Sequence, residues 1–182
     1  MGMAAPIYFT ADMVRALPDD GNRYEVVRGE LLVTPAPRLW HQEIVLRLAE
    51  ALREYLRREP VGHLLCSPAD ISWGPDTLVQ PDLFVVPLEQ ARTLEWSRIT
   101  ELRLVAEVLS PSSRRADRFT KRGEYQRRGV SVYWIVDPED QQVEVWTPAD
   151  TFPQLERERL LWHPTGAGMA FELELLQLFK PL

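Results

Sequence analysis

One cysteine, Cys66, stands in 182 residues, so no internal disulfide can form and a reducing compartment is expected. Its neighbours HLLCSP offer no motif partner, and a buried structural thiol is the default reading. Long apolar runs are also missing: no stretch approaches the roughly 18 residues a membrane span needs. The opening MGMAAPIYFT has no basic segment followed by an apolar run, so it does not read as a signal peptide, and the expected location is the cytoplasm. No glycine-rich phosphate loop is present, which argues against a nucleoside-triphosphatase. The histidines, His41, His63 and His163, share no metal-ligand spacing. Lysine is scarce, with Lys121 and Lys180 set against 19 arginines.

What is present suits one folded domain over residues 1–182, with 45% hydrophobic residues and a core of ordinary size. The net charge of −6 argues weakly against a nucleic-acid binder, but the distribution matters more than the sum. The segment RRADRFTKRGEYQRR at 114–128 holds seven cations and two acids, on a chain otherwise strongly acidic. Such a strip either holds phosphate locally or forms a solvated helix face.

Thr10 caps a short amphipathic segment running to about Leu17. YEVVRGELLV reads as two strands, 24–27 and 30–33, joined at Arg28-Gly29. Ile44, Val45, Leu48, Leu52, Tyr55 and Leu56 recur at helical spacing over 39–59, and Pro60 and Gly62 stop the helix. HLLCSPADISWGP, TLVQPDLFVV and ELRLVAEVLS each read as strands, the last two apolar enough to lie in the middle of a sheet. A short helix is expected within 88–100, and the basic segment forms a helix ended by Gly129. VSVYWIVDP and QQVEVWTP pair through the turn at Glu139-Asp140, while FELELLQLF fits a strand or a short helix. This order indicates an α/β fold with a mixed central β-sheet flanked by helices.

Two carboxylates interrupt apolar strands: Asp82 in LVQPDLFVV and Glu107 in LRLVAEVLS. A carboxylate inside a sheet costs several kcal/mol to desolvate unless a cation, hydrogen bonds or a metal compensates it. On neighbouring strands the two can share one face. With the Val108 carbonyl they make a hard oxygen set suited to Mg²⁺ or Mn²⁺. Asp117, Lys121, Tyr125 and Arg128 fall on one face of the following helix. A chain that otherwise uses arginine has lysine at 121, where a compact amine reaches a water or phosphate oxygen as a planar fork does not. Tyr125 either orients Lys121 or Glu107 or merely packs. Glu25, in the hairpin, is a candidate third acid. His41 opens a helix and reads first as a core residue, with an auxiliary role as the alternative. Arg114, Arg115 and Arg118 are the candidate nucleic-acid contacts.

QPD at 80–82, AEVLSPSS at 106–113, KRGEYQRRGV at 121–130 and YWIVDP at 133–138, in that order, resemble the Uma2 family. YEVVRGELL at 24–32 and the helix beginning at His41 resemble its N-terminal part, so the likeness spans about residues 10–180. The resemblance implies the restriction-endonuclease-like fold with a PD-(D/E)xK site, Asp82 in its first motif and Glu107 in its second. Leu109 stands where that motif has its lysine. The resemblance implies that the next helix supplies the cation, here Lys121. The expected function is Mg²⁺-dependent endonucleolytic cleavage of DNA. The alternatives are a degenerate nuclease fold that binds nucleic acid or a protein partner, and a dimerising module with apolar surface around Trp134 and Trp146.

Overall fold

The computed structural model describes residues 7–182; the first six, part of the signal-peptide reading and of the 1–182 domain expectation, lie outside the described residues. In chain order come α1 (Ala11–Arg15), β1 (Arg23–Val27), β2 (Glu30–Thr34), α2 (Leu39–Arg58), β3 (His63–Cys66), β4 (Ile71–Ser72) and β5 (Leu78–Val79). β6 (Leu83–Val86), α3 (Leu88–Ala91), a 3₁₀ turn (Trp96–Arg98) and β7 (Leu104–Val108) follow. A π-helical turn (Ala116–Lys121) runs into α4 (Arg122–Arg127), and the chain continues with β8 (Tyr133–Asp137) and β9 (Gln142–Trp146). β10 (Gln154–Glu156), β11 (Arg159–Trp162), β12 (Phe171–Glu174) and α5 (Leu175–Leu178) complete it. No described helix is long and apolar enough to cross a membrane.

The chain separates into two compact units. The smaller runs to Ala36 and resumes over Pro68–Gln80. Its four-stranded sheet has the order β2-β1-β5-β4. Arg28 and Gly29 both have positive φ, 50° and 82°, as a two-residue hairpin whose turn matches the strand twist requires. Thr10 caps α1 by accepting from the Met13 N–H at 3.2 Å.

The larger unit comprises Pro37–Ser67 and Pro81–Leu182. Its six-stranded sheet has the order β10-β9-β8-β7-β6-β3, and β11 pairs with β12 in a separate ribbon. β7 and β8 are parallel and the other neighbours antiparallel, so the sheet is mixed. The parallel pair needs a crossover, and the basic segment supplies it as a helix. β6, β7 and β8 are buried along their whole length, as their largely apolar sequences require, with Glu107 and Asp137 the exceptions. Leu104, Ala106, Val108, Trp134 and Val136 join Ile44, Leu48 and Leu52 of α2 in one core. Glu107 alternates with those residues and therefore points to the opposite face.

Several expectations are corrected. TLVQPDLFVV is two strands, not one: the chain leaves β5 after Val79 and enters β6 at Leu83. Pro81 has no N–H to give a ladder, so Asp82 stands just before a strand rather than inside it. FELELLQLF is neither strand nor helix alone but β12 followed by α5. β10 and β11 were not anticipated, because each is only three or four residues long, β10 is largely exposed and β11 alternates too briefly to show a period. Cys66 is exposed rather than buried. Trp134 and Trp146 are buried, so they form no apolar docking surface.

The hairpin gives a direct check. A Cβ on Gly29 would meet the Tyr8 ring at 2.3 Å, and the φ of +82° disfavours any side chain. Gly29→Ala is expected to cost more than about 1 kcal/mol, read as a lowered urea midpoint with an unchanged m-value.

Candidate active site

β6 and β7 pair antiparallel with Leu83 opposite Ala106. One further step in that register sets Asp82 opposite Glu107, where the ladder ends and both side chains fall on one face. The ends of the strands are then tied by the carboxylates themselves. The Asp82 N–H donates to Glu107 Oε2 at 3.3 Å, and the Val108 N–H donates to Asp82 Oδ2 at 2.9 Å. Each strand's backbone thus satisfies the other strand's acid. Asp82 is also held from behind, since its carbonyl accepts the Ser67 N–H at 3.2 Å and the Pro81 carbonyl accepts the Ser67 hydroxyl at 2.7 Å. In an extended strand a residue's N–H and C=O point the same way, so the Val108 carbonyl faces the same side as its N–H.

The crossover helix brings the cation. Lys121 Nζ lies 2.6 Å from Glu107 Oε1 and 3.3 Å from Asp117 Oδ1. The Tyr125 hydroxyl donates to Glu107 Oε1 at 3.0 Å. Tyr125 packs on Tyr133 with ring centroids 4.8 Å apart, and the Tyr133 hydroxyl donates to the Asp117 carbonyl at 3.2 Å. The π-helical turn ends at Lys121, and both Asp117 and Lys121 are buried. A π turn inserts an extra residue into a helix and re-aims the side chains around it. Here it accompanies an inward acid and an inward lysine four residues apart. Lys121 is only 1% exposed, so the expected open helix face is not where it sits.

The structure therefore brings Asp82, Glu107, Lys121 and Tyr125 together. His41 joins them: its Nε2 lies 3.2 Å from Asp82 Oδ2. Asp117 is a member that the sequence reading placed on the helix face without giving it a role. Its signal was the acid–lysine spacing of four. Glu25 lies in the smaller unit, where its Oε1 accepts the Gln80 N–H at 2.7 Å and its Oε2 is 3.7 Å from Arg23 Nε.

The arginine strip has a different occupation from the one expected. Arg114 grips Asp137 with two bonds of 3.1 Å and reaches Glu139 at 2.6 Å. Arg118 donates to Glu144 at 2.6 Å and to Asp137 at 2.8 Å. Arg122 lies over the Trp146 ring, 4.5 Å from its centroid. Arg127 and Arg128 both bind the buried Glu124. Of the three candidate phosphate contacts, two are thus joined to acids of β8 and β9. Arg115 is exposed at the helix start.

A divalent ion is testable against this donor set. Asp82, Glu107 and Asp117 are all buried, the Lys121 ammonium is paired with Glu107 and Asp117, and the two acids on the strand ends are hard oxygen donors. Among the described residues no group of three or more His, Cys, Asp or Glu is arranged to hold a metal. Mg²⁺ takes one or two protein carboxylates and keeps several waters, so the residues fit that ion in kind and in charge.

Asp137 is the anchor of the crossover helix. Burial pushes its carboxyl up, but the Asp140 N–H, Arg118, Arg114 and the Glu139 N–H outweigh burial and hold it below the usual range. Burial likewise raises Glu124, and Arg127 and Arg128 bring it below its ordinary value. Groups whose folded pKa is depressed stabilise above the unfolded value, near about 4, and lose that contribution as pH falls through the folded one. Thermal stability is therefore expected to drop steeply below about pH 4. Asp137→Asn should remove much of that slope. It should also cost the low end of about 3–5 kcal/mol at pH 7, since Arg114 and Arg118 keep partial access to water. An unchanged midpoint in denaturant at pH 7 would contradict the anchor role.

Known proteins agree with this arrangement at the level of fold and family. The profile of the Uma2 family, described as "Putative restriction endonuclease", matches residues 11–175. A crystal structure from Anabaena variabilis, described as a "putative nuclease belonging to DUF820", superimposes with a TM-score of 0.77 at 20% identity, covering 94% of this chain and 97% of that one. No curated protein matches the chain. The match over nearly the full length places this chain in the Uma2 family, with a restriction-endonuclease-like fold.

Proposed function

We propose that this chain is an endonuclease that hydrolyses DNA phosphodiester bonds with the help of Mg²⁺ or Mn²⁺ held by Asp82, Glu107 and the Val108 carbonyl. The observation that carries the reading is the buried pair of strand-end carboxylates with the Lys121 ammonium 2.6 Å from Glu107. A divalent ion at such a pair supplies Lewis acidity toward the phosphate and eases the ionisation of water. The chain's own residues do the positioning. The Val108 N–H holds Asp82, and Tyr125 and the Asp82 N–H hold Glu107. Lys121 provides a fixed donor and a positive charge that offsets the charge developing on the scissile phosphate. Asp117 keeps that amine from swinging out. The exposed Cys66 thiol suits a reducing cytoplasm.

A second reading is a nuclease fold that binds nucleic acid or a protein partner without cutting. It is favoured by the saturation of Glu107, whose oxygens already accept from Lys121, Tyr125 and the Asp82 N–H.

Nicking of supercoiled plasmid separates the two. The parent should cut with Mg²⁺ or Mn²⁺ and not with EDTA. Asp82→Asn and Glu107→Gln, both isosteric, should lower the rate by about 10²-fold or more while leaving far-UV circular dichroism unchanged. Because Lys121 is enclosed, Lys121→Arg should disturb packing as well as rate, whereas Lys180→Arg, on an exposed residue, should change neither. A parent that binds DNA but never cuts it under any of these ions would establish the second reading.

A further inference from the structure

α2 buries Ile44, Leu48, Leu52 and Tyr55 on one stripe, and His41 stands one turn before Ile44 on that stripe. Its side chain, 11% exposed, enters at the first turn of the helix and meets Asp82. A core histidine of the ordinary kind has both nitrogens matched. Here Nε2 is matched to Asp82 Oδ2, while Nδ1 is buried with no hydrogen-bond partner. An ionised carboxylate only accepts, so the contact requires the hydrogen on Nε2 and leaves Nδ1 as the unmatched nitrogen. Leaving a buried ring nitrogen unmatched is unfavourable. The fold tolerates it at the position where the ring touches a strand-end acid.

We propose that His41 is the positioning residue for Asp82. The carboxylate torsion of an aspartate is broad when nothing restrains it. Asp82 Oδ2 receives two donors from different elements, the Val108 N–H of β7 and the His41 ring of α2. Together they fix the plane of the carboxylate and so the direction in which its other oxygen is presented to a hard divalent cation. Such outer partners set the affinity of a metal ligand without touching the metal. The inference rests on the metal-dependent reading of Asp82 and Glu107.

The test is Mn²⁺ affinity, measured by electron paramagnetic resonance of the free ion on the full chain without DNA. His41→Phe keeps the ring volume and removes the donor. It should weaken Mn²⁺ binding by about 10–100-fold, with a melting temperature in EDTA equal to or above the parent's. His41→Gln, which restores an N–H, should recover part of the affinity. A His41→Phe protein that binds Mn²⁺ as tightly as the parent overturns the positioning role. Should that variant not fold, the imidazole ¹⁵N spectrum of the parent decides: hydrogen on Nε2 supports the proposal and hydrogen on Nδ1 alone overturns it. A parent with no Mn²⁺ affinity overturns the metal reading itself, and does so before any substitution is made.

Discussion

The contact between Lys121 and Glu107 is the constraint around which the larger unit is organised. Both groups are all but excluded from water, and a buried charge is tolerated only when paired and hydrogen-bonded. Each element around them answers that demand. The π turn ends at the lysine, Asp117 flanks it, and Tyr125 and the end of β6 supply the donors that Glu107 still needs. Replacing such a cluster with apolar side chains is often neutral or stabilising in other proteins. Its presence here is therefore weak evidence for stability, and fits a chemical use instead.

The arginines show the same economy of charge at a larger radius. A strip of seven cations suggests a surface that waits for phosphate, but the acids that match it lie elsewhere in the sequence, on β8, β9 and within the helix itself. The helix is thereby clamped to the sheet by Arg114 and Arg118 on Asp137, which keeps Lys121 at its station. A guanidinium already bonded to carboxylates has little left to release counterions from DNA. Any electrostatic attraction to a nucleic acid would then have to come from other cations, such as the exposed Arg115, on a molecule whose net charge is −6.

The sequence showed some of this clearly. The hairpin at Arg28-Gly29, the helix from Leu39 and the pairing of β8 with β9 were legible because each is a local pattern: turn residues with positive φ, helical spacing, two apolar runs around a short turn. Asp82 and Glu107 stood out because acids in apolar strands need a reason. What was not legible depends on contacts between distant segments. The burial of Lys121 follows from a π turn that ordinary helical spacing does not contain. The occupation of Arg114 and Arg118 depends on where β8 and β9 fall. His41 looked like the first core position of a helix; it lies on that stripe but is only partly buried, and its contact with Asp82 arises from a residue 41 positions away.

The proline before Asp82 has a physical role in this geometry. Pro81 carries no N–H, and pairing begins only at Leu83. The Asp82 N–H donates to the Glu107 carboxylate, and the Val108 N–H, two residues past the last paired residue on the other strand, donates to the Asp82 carboxylate. Two acids that would repel each other on a regular ladder are each bound by the main chain of the opposite strand. The break also opens the end of the sheet to both of its covering layers. His41 reaches Asp82 from α2, and Lys121 and Tyr125 reach Glu107 from the crossover helix. An acid in the middle of β6 would be covered by one layer only. At the broken end, three elements far apart in the sequence meet on two carboxylates.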